Sequence, residues 1–502
     1  MSESWNGGYV TDVEYTSAYF ISQSPHMLAL SCLINGLAVD PPWDNRRLHV
    51  LELGCGRGMN ACVAAAANPD WQVTGIDFMP AAIADASRLA TEAGLDNATF
   101  IEADLTDFAE TAQGLALAPV DIITAHGVWS WVGDPVRAGI VRLAAAKLRA
   151  GGLLHLSYNT LPAQQGLLAM QRVMREAGRR LAGRSDLQAE AGRAVAQALA
   201  AAGARHLTAT ETVRDTLAAL DKRPLAYLAH EYMNRSWRPC FHADVAESLA
   251  PARLTYAASS RLVDNFPELM LTPEQRAIHD RFDDPLMREL VIDTCSDRML
   301  RHDIYVRGAQ RLGAGARDAA LGRVRLALAT APERFQYVLG TPAGLAQVSE
   351  ASYRPMVAAL AEGTRSIAEL IALRGPSAGP ANPGEVAMVL AGTYQAMVVG
   401  DPAAGPSHRL RRFNAAVADR DARLGDFNAP SVLASLRLGA GCPASAGETL
   451  VAARIGLIGT LPDPVSLAAE LHPGAVERAA LASHIDAMLR ERLAVWQRLG
   501  IV

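Results

Sequence analysis

Long apolar segments are absent from this 502-residue sequence. No uninterrupted apolar run reaches the roughly eighteen residues that a membrane-spanning helix requires. The N-terminal stretch MSESWNGGYV contains neither the basic region nor the apolar core of a secretory signal. We therefore expect a cytoplasmic protein that has no membrane partner.

Paired cysteines and a basic surface are also missing. The six cysteines form no Cys-x-x-Cys pair and no zinc-ligand spacing, so we expect no metal and interpret them as reduced and mostly buried. The formal net charge is -5, and the densest basic group, Arg409, Arg411 and Arg412, is interpreted as a solvated loop near a helix start. Nucleic acid is therefore not an expected partner.

The most informative segment is HVLELGCGRGMNACVAAAA, in which an apolar run meets a cluster of glycines. The glycines, in the spacing Gly-x-Gly-x-Gly, are Gly54, Gly56 and Gly58. A dinucleotide fingerprint requires a further glycine at the place of Met59, so a nicotinamide-dependent dehydrogenase is disfavoured. The turn instead brings a ligand close to the backbone, and Glu52 offers a carboxylate to an ammonium group. These features describe the amino-acid end of S-adenosylmethionine.

Acidic residues at two later strand ends complete a nucleoside site. Asp77 ends the apolar run QVTGID and is placed to accept both ribose hydroxyls. Asp104 ends ATFIEAD and is placed to receive the adenine amino group. The predicted cofactor is therefore S-adenosylmethionine. Its predicted contacts are Glu52, Gly54, Cys55, Gly56, Asp77, Phe78, Asp104, Leu105 and His126.

Apolar runs alternate with helical stretches through the first third of the chain. With short connections, this alternation predicts a parallel, doubly wound α/β sheet of the Rossmann-like kind. Residues 163–240 predict a helical insertion that covers the cofactor cleft, and closing strands are expected at about 253–261 and 302–308. A first domain over residues 1–310 and a second over 320–502 agree with the chain length.

Beyond residue 320 the sequence predicts a mainly helical region without a chemical motif. A short strand in FQYVLG followed by three helices is compatible with a winged-helix-like unit. The last of these helices, over 385–401, contains no Lys or Arg, so a protein-contact or structural role is favoured over DNA binding. Its predicted apolar face consists of Val386, Val389, Leu390, Tyr394 and Met397. We expect this region to select or orient a macromolecular substrate.

Several segments together resemble one family. They are EYTSAYFISQSPHMLALSCLINGLAVDPP, HGVWSWVGDP, YNTLPA, AHEYMNRSWRPCFHADVAESL and RHDIYVRG. Over about residues 14–310 the chain resembles bacterial class I methyltransferases with a methyltransferase regulatory domain, which include the rickettsial protein lysine methyltransferases. Ala163 stands where the pattern leads us to expect glycine. The resemblance implies methylation of a protein, with lysine as the favoured acceptor.

Residues that follow the fourth and fifth strands would border the transferred methyl group. His126, Trp129 and Tyr158 are the predicted catalytic residues, because a dry aromatic slot favours the neutral amine that must attack. The predicted substrate contacts are Tyr15, Tyr19, Trp131, Asn159 and His230, and Glu231 and Asn234 share the helical spacing of His230.

Three functions fit these features. The first is methyl transfer to an amine or carboxylate of a protein or peptide. The second is methylation of a small molecule in a biosynthetic pathway. The third is a regulatory protein that binds the cofactor without turnover. The sequence leaves a homodimer open.

Overall fold

The computed structural model describes residues 7–14, 18–44, 47–180, 183–374, 382–471 and 475–502. Its centre is a sheet of seven strands: β1 (His49–Leu53), β2 (Gln72–Asp77), β3 (Ala98–Glu102), β4 (Val120–Ala125), β5 (Leu148–Asn159), β6 (Leu254–Ser259) and β7 (Leu300–Arg307). Their spatial order is β3-β2-β1-β4-β5-β7-β6, and β7 alone runs antiparallel to both of its neighbours. This order confirms the predicted doubly wound α/β fold. Because it reverses between β1 and β4, a ligand crevice is expected at the carboxyl ends of those strands.

Helices cover both faces of the sheet. The first five are Pro25–Ile34, Met59–Ala67, Pro80–Ala93, Ala112–Ala116 and Asp134–Lys147. The turn before helix Met59–Ala67 requires glycine, because Gly58 has a φ of 73° and a Cβ there would lie 2.6 Å from the Cβ of Ala86. This glycine allows helix Met59–Ala67 to pack closely on helix Pro80–Ala93.

A helical insertion lies between β5 and β6. Its helices are Leu167–Gly178, Ser185–Ala201, Arg205–Thr208, Glu211–Ala219, Leu225–Tyr232 and His242–Leu249. Most of their apolar side chains form a separate cluster that includes Val10 of the N-terminal segment. Three further helices, Pro267–Met270, Pro273–His279 and Pro285–Cys295, lie between β6 and β7. Within the described residues, no helix has both the length and the apolar character needed to span a membrane.

The C-terminal region adds more helices and short strands. The strands are β8 (Arg325–Leu328), β9 (Val338–Thr341), β10 (Gly344–Gln347), β11 (Arg365–Ser366), β12 (Ala396–Val399), β13 (Pro430–Ser435) and β14 (Ala440–Ser445). β8 pairs with β11 and β12, and the other four strands form two hairpins. The helices are Ala314–Arg323, Glu350–Glu362, Ile367–Ala372, Pro383–Ala387, His408–Leu424, Ala446–Ile458, Pro464–Leu471 and Ala475–Arg498. The predicted mainly helical character is confirmed.

The prediction of a single helix over residues 385–401 is wrong. The helical backbone ends at Gly392, and β12 begins at Ala396. Tyr394 lies in the turn between them, with a φ of 57° and 39% of its surface exposed. The strand forms because its valine-rich residues pair with the buried strand β8, and this tertiary contact overrides the helical spacing.

The C-terminal region shares a core with the seven-stranded sheet. Phe413 and Val417 of helix His408–Leu424 lie in the same apolar cluster as Val50 of β1 and Val63 of helix Met59–Ala67. The core is therefore continuous from the sheet into the last hundred residues of the chain.

The group Arg409, Arg411 and Arg412 is part of this interface, so its interpretation as a solvated loop is wrong. Arg409 pairs with Asp96 at 2.5 Å, and the Arg412 side chain donates to the carbonyl oxygen of Glu92 at 2.6 Å. Arg411 and Arg412 are both exposed, but of these two only Arg412 has a hydrogen bond to helix Pro80–Ala93. Two of the three guanidinium groups thus dock the C-terminal region at the end of that helix.

We expect Phe413→Ala to lower the free energy of unfolding by about 3 to 5 kcal/mol, because it opens a cavity in this shared core. The loss should affect a single transition that includes the seven-stranded sheet. Urea unfolding followed by tryptophan fluorescence measures it. The control is Leu424→Ala at the end of the same helix, where the side chain is 66% exposed and the change should stay within about 0.5 kcal/mol. Two separate transitions would contradict a continuous core.

Candidate active site

The glycine loop between β1 and helix Met59–Ala67 forms the floor of the site. Gly54 has a φ of 65°, and a Cβ there would lie 2.4 Å from Cγ2 of Val128 in the loop after β4. Gly56 has a φ of 50°, and a Cβ there would meet no atom within 4 Å. Gly54 therefore brings the two loops together, whereas Gly56 borders open space. Cys55 between them is buried, and its amide donates to the carbonyl oxygen of Ile76 at 3.0 Å.

Glu52 at the end of β1 carries a buried carboxyl group with a free oxygen. Its Oε2 has no hydrogen-bond partner among the described residues. Burial raises the pKa of Glu52 to about 8; the Ala61 amide opposes this rise and the charge of Asp77 adds to it. A buried carboxylate needs a cation or a donor. The ammonium group of S-adenosylmethionine supplies both, so Glu52 fits its predicted role.

Asp77 joins the glycine loop to the loop after β2. Its Oδ2 accepts from the Gly56 amide at 2.8 Å, and its Oδ1 accepts from the Met79 amide at 2.9 Å. Burial raises the pKa of Asp77, while these backbone amides oppose the rise. Because each carboxylate oxygen can accept a second bond, the fixed carboxylate is able to receive the ribose hydroxyls.

The adenine side of the site is more open. Asp104 is exposed, and its Oδ1 accepts from the Thr106 amide at 2.8 Å. Phe78 is partly exposed and packs on Tyr9 with the ring centroids 5.5 Å apart. The side chain of Leu105 belongs to the apolar core, so its predicted contact with the cofactor stays a prediction that only its backbone could fulfil.

Tyr158 and Trp129 are core residues, and the acceptor slot predicted from them is wrong. Only 1% of Tyr158 is exposed, and its hydroxyl donates to Oδ2 of Asp303 at 2.6 Å. Trp129 is 2% exposed and packs within the same apolar cluster. Tyr158 lies on the same face of β5 as Leu154 and Leu156 and packs in one apolar cluster with them, so its side chain points into the protein.

His126 follows β4 and lies in a stack of rings. Its ring centroid is 3.9 Å from that of Phe20 and 5.5 Å from that of His302. Burial lowers the pKa of His126 to about 4, so the imidazole is neutral at ordinary pH. His155, also in this stack, was not predicted as a site residue, because a single histidine in an apolar strand gives no functional signal. His126 can therefore act as a hydrogen-bond partner but not as a resident cation.

Trp131 and Asn159 come together with a residue that sequence reasoning missed. The Trp131 and Trp237 ring centroids are 6.2 Å apart, and the Trp237 indole N–H donates to Oδ1 of Asn159 at 3.2 Å. All three side chains are partly exposed. They form an aromatic wall, defined as Trp131, Asn159 and Trp237, beyond the carboxyl ends of β4 and β5. Trp237 lies in the segment RSWRPC, which is part of the family resemblance, so this resemblance could have identified it as a candidate site residue.

The remaining predicted substrate residues make contacts within the protein or lie outside the described residues. Tyr19 reaches the C-terminal region, where its hydroxyl accepts from the Gly441 amide at 3.0 Å, and it lines a cavity together with Glu52, so its predicted role stays a prediction. Tyr15 lies outside the described residues. His230 donates through Nε2 to the Val13 carbonyl oxygen at 2.8 Å and thereby holds the N-terminal segment. Tyr9, which packs on Phe78 from that segment, was not predicted as a site residue, because no local sequence pattern marks it.

The Glu52 carboxyl predicts a pH-dependent affinity for S-adenosylmethionine. When the pH is below the Glu52 pKa of about 8, the carboxyl group of the unbound protein is protonated. The ammonium group of the bound ligand stabilises the deprotonated carboxylate. Binding should therefore release a proton, and the affinity should fall by up to about tenfold per pH unit as the pH drops below about 8. Calorimetry near neutral pH in two buffers with different ionisation heats measures this release. Glu52→Gln should abolish it, and identical heats for the wild type would contradict it.

Asp77→Ala should weaken S-adenosylmethionine binding by about 1 to 3 kcal/mol, because charge-assisted bonds to the ribose are lost. Asp77→Ala also removes the hydrogen bonds that Asp77 accepts from the Gly56 and Met79 amides. Asp77→Asn keeps one acceptor oxygen, so its loss of binding free energy should be smaller. Isothermal calorimetry of both variants provides the values. Asp70→Ala, in an exposed turn, is the control. Equal affinity of a folded Asp77→Ala protein would remove Asp77 from the site.

Comparisons with known proteins agree with this site. The family model described as "Methyltransferase domain" matches residues 44–230, and the one described as "Predicted methyltransferase regulatory domain" matches residues 224–307. An uncharacterized protein of Synechocystis sp. is 31% identical over 366 residues, which are 73% of this chain and 71% of that protein. Trans-aconitate 2-methyltransferase of Klebsiella pneumoniae is 36% identical over 86 residues, which are 17% of this chain and 30% of that enzyme.

A solved structure matches almost the whole chain. The structure of PKMT2 from Rickettsia typhi in complex with AdoHcy has a TM-score of 0.71 at 15% identity and covers 97% of this chain and 100% of its own. At this identity the match shows a shared fold, which extends through the insertion and the C-terminal region. With the family models and the Synechocystis relative, it leads to one conclusion: the chain belongs to the S-adenosylmethionine-dependent methyltransferases that carry a methyltransferase regulatory domain.

Proposed function

We propose that this enzyme methylates an amine of a protein or peptide, with the lysine side chain as the favoured acceptor. The observation that carries the proposal is the aromatic wall of Trp131, Asn159 and Trp237, which is partly exposed beyond the ends of β4 and β5. The full-length match to PKMT2 and the resemblance to rickettsial protein lysine methyltransferases support the same acceptor class. Selection of the substrate by the C-terminal region stays a prediction.

The aromatic wall suits the chemistry of an amine acceptor. S-adenosylmethionine, when bound, supplies a methyl group on a sulfonium. A lysine ammonium must lose a proton before its lone pair can attack, which costs about 4 to 5 kcal/mol near neutral pH. Apolar surroundings reduce this cost because they disfavour the ammonium. Holding the amine in line with the methyl group contributes a further 7 to 11 kcal/mol, roughly, through orientation alone.

His126 is the polar group that we assign to the acceptor side of the site. Its imidazole is neutral, because burial lowers its pKa to about 4, and it lies at the end of β4 beside the strand reversal. A neutral imidazole can accept a hydrogen bond from the attacking amine and so orient its lone pair. Phe20, stacked on the His126 ring, limits access of water to that bond.

A small-molecule carboxylate is the second candidate acceptor. The match to trans-aconitate 2-methyltransferase favours it, although that match covers 17% of this chain. A carboxylate needs no deprotonation near neutral pH. In a cell lysate, the first candidate acceptor would be found in the protein fraction and the second in the small-molecule fraction.

Labelling of a cell lysate with isotope-labelled S-adenosylmethionine tests the proposal. The chain itself contains two lysines, Lys147 and Lys222, so a Lys147→Arg/Lys222→Arg variant removes automethylation of lysine side chains. Arginine at position 147 can still donate to the carbonyl oxygens of Leu115 and Leu117, the present partners of Lys147. We expect the label in the protein fraction, on lysine after hydrolysis.

Other outcomes of this labelling would contradict the proposal. Label confined to the small-molecule fraction would favour the carboxylate candidate. Absence of label despite measurable cofactor binding would favour a regulatory protein without turnover. Heat-treated enzyme provides the background for both fractions.

A further inference from the structure

Helix Leu225–Tyr232 and the residues that follow it present three polar side chains toward the N-terminal segment, and two of them have a structural role. His230 binds the Val13 carbonyl oxygen at 2.8 Å, and Oδ1 of Asn234 accepts from the Val10 amide at 2.8 Å. Glu231 is different. Among the described residues, no hydrogen bond or ion pair reaches its carboxylate. Among the described residues, the Glu231 carboxylate is therefore without a hydrogen-bond or ion-pair partner, whereas His230 and Asn234 each hold the N-terminal segment.

The surroundings of Glu231 are aromatic. Tyr227 lies one helical turn before it on the same helix face, Tyr232 follows it, and Tyr9 approaches from the N-terminal segment. Burial raises the pKa of each of these phenols, and the negative charge of Glu231 adds to the rise in all three. Tyr227 therefore shares the helix face of Glu231, and the Tyr9 ring lies against that of the neighbouring His230, with the centroids 5.8 Å apart.

A carboxylate among tyrosine rings is suited to bind an organic cation. The ring faces attract an ammonium group through their quadrupoles, and the carboxylate accepts charge-assisted hydrogen bonds from it. The structure already shows one such attraction, because the Arg223 guanidinium lies 5.5 Å from the Tyr227 ring centroid. Arg223 is exposed, however, and its charge only partly offsets the effect of burial, which raises the pKa of Glu231 to about 7.

The cluster faces the cofactor site. The ring centroid of Tyr9 is 5.5 Å from that of Phe78, which follows Asp77 at the end of β2. The charge of Asp77 also contributes to the raised pKa of Tyr9, after burial, so the phenol lies near the carboxylate that receives the ribose. An acceptor that enters between the insertion and the sheet would pass this cluster.

We propose that Glu231, with Tyr9, Tyr227 and Tyr232, binds the acceptor as an ammonium before that group loses its proton and reaches the aromatic wall, and makes the enzyme select amines over carboxylates. The inference rests on the proposed amine acceptor and assigns its recognition to the insertion. Glu231 is a specificity-determining residue in this scheme. Arg223 competes with the substrate for the same carboxylate.

Binding of an oligolysine peptide to the full-length protein saturated with S-adenosylhomocysteine tests the inference. Glu231→Gln should weaken oligolysine binding by about tenfold or more, because it removes the charge but keeps the side-chain shape. Arg223→Gln should strengthen binding, because it removes a competing cation. Glu190→Gln, which removes an exposed carboxylate from the same insertion, should leave the affinity unchanged. Calorimetry at physiological salt provides the affinities, and thermal unfolding confirms that each variant folds.

Three outcomes would overturn the inference. Unchanged oligolysine affinity in Glu231→Gln would show that the carboxylate does not bind the cation. Weaker binding of S-adenosylhomocysteine in that variant would assign Glu231 to the cofactor instead. An equal loss of oligolysine affinity in Glu231→Gln and Arg223→Gln would indicate that the two side chains only stabilise each other. If the wild type methylates only carboxylates, the proposed function is wrong. The oligolysine affinities would still show whether Glu231 binds an ammonium group.

Discussion

The hydrogen bond from the Gly56 amide to the Asp77 carboxylate is the contact on which the cofactor site depends. It connects the loop after β1 to the loop after β2, so the residues that we assign to the amino-acid end and to the ribose of the cofactor are fixed relative to each other. The left-handed backbone at Gly54 and Gly56 makes the connection sterically available. Glu52 can then remain buried beneath the loop with one oxygen free for a cation.

A second set of buried charges joins the regulatory segment to the sheet. Arg301 on β7 binds Asp303 at 2.9 Å and Asp293 of helix Pro285–Cys295 at 2.8 Å. Burial alone would raise the pKa of Asp303, but Arg301 and His242 hold it well below its usual range. Tyr158 donates into this network from β5. Because breaking a buried pair leaves an uncompensated charge, the network holds the matched regulatory segment firmly against the catalytic sheet.

The two remaining parts of the chain close the site from different sides. The insertion and the N-terminal segment are held together through His230 and Asn234, which places Tyr9 over the edge of the cofactor site. The C-terminal region packs behind helix Met59–Ala67 and contributes Phe413 to the sheet's core. The insertion and the C-terminal region therefore pack on different parts of the catalytic sheet, and the C-terminal region buries part of helix Met59–Ala67, which follows the glycine loop.

Local sequence determined the βαβ unit, the cofactor and the order of the first five strands. Glycine spacing, acidic strand ends and alternating apolar runs are short-range signals, and Glu52, Gly56 and Asp77 lie within one such unit. β2 ends at Asp77, where the apolar run QVTGID ends, for the same reason.

Tertiary structure alone decided which polar and aromatic side chains face the cleft. Tyr158 and Trp129 are aromatic residues that follow or end central strands, as the proposed acceptor wall requires, but packing against the sheet buries both of them. The contact of Tyr19 with Gly441 and the formation of β12 could not be predicted, because the partners, Gly441 and β8, are distant in sequence. The orientation of a side chain depends on which element covers its face, and that packing contact is made by residues that no local pattern connects.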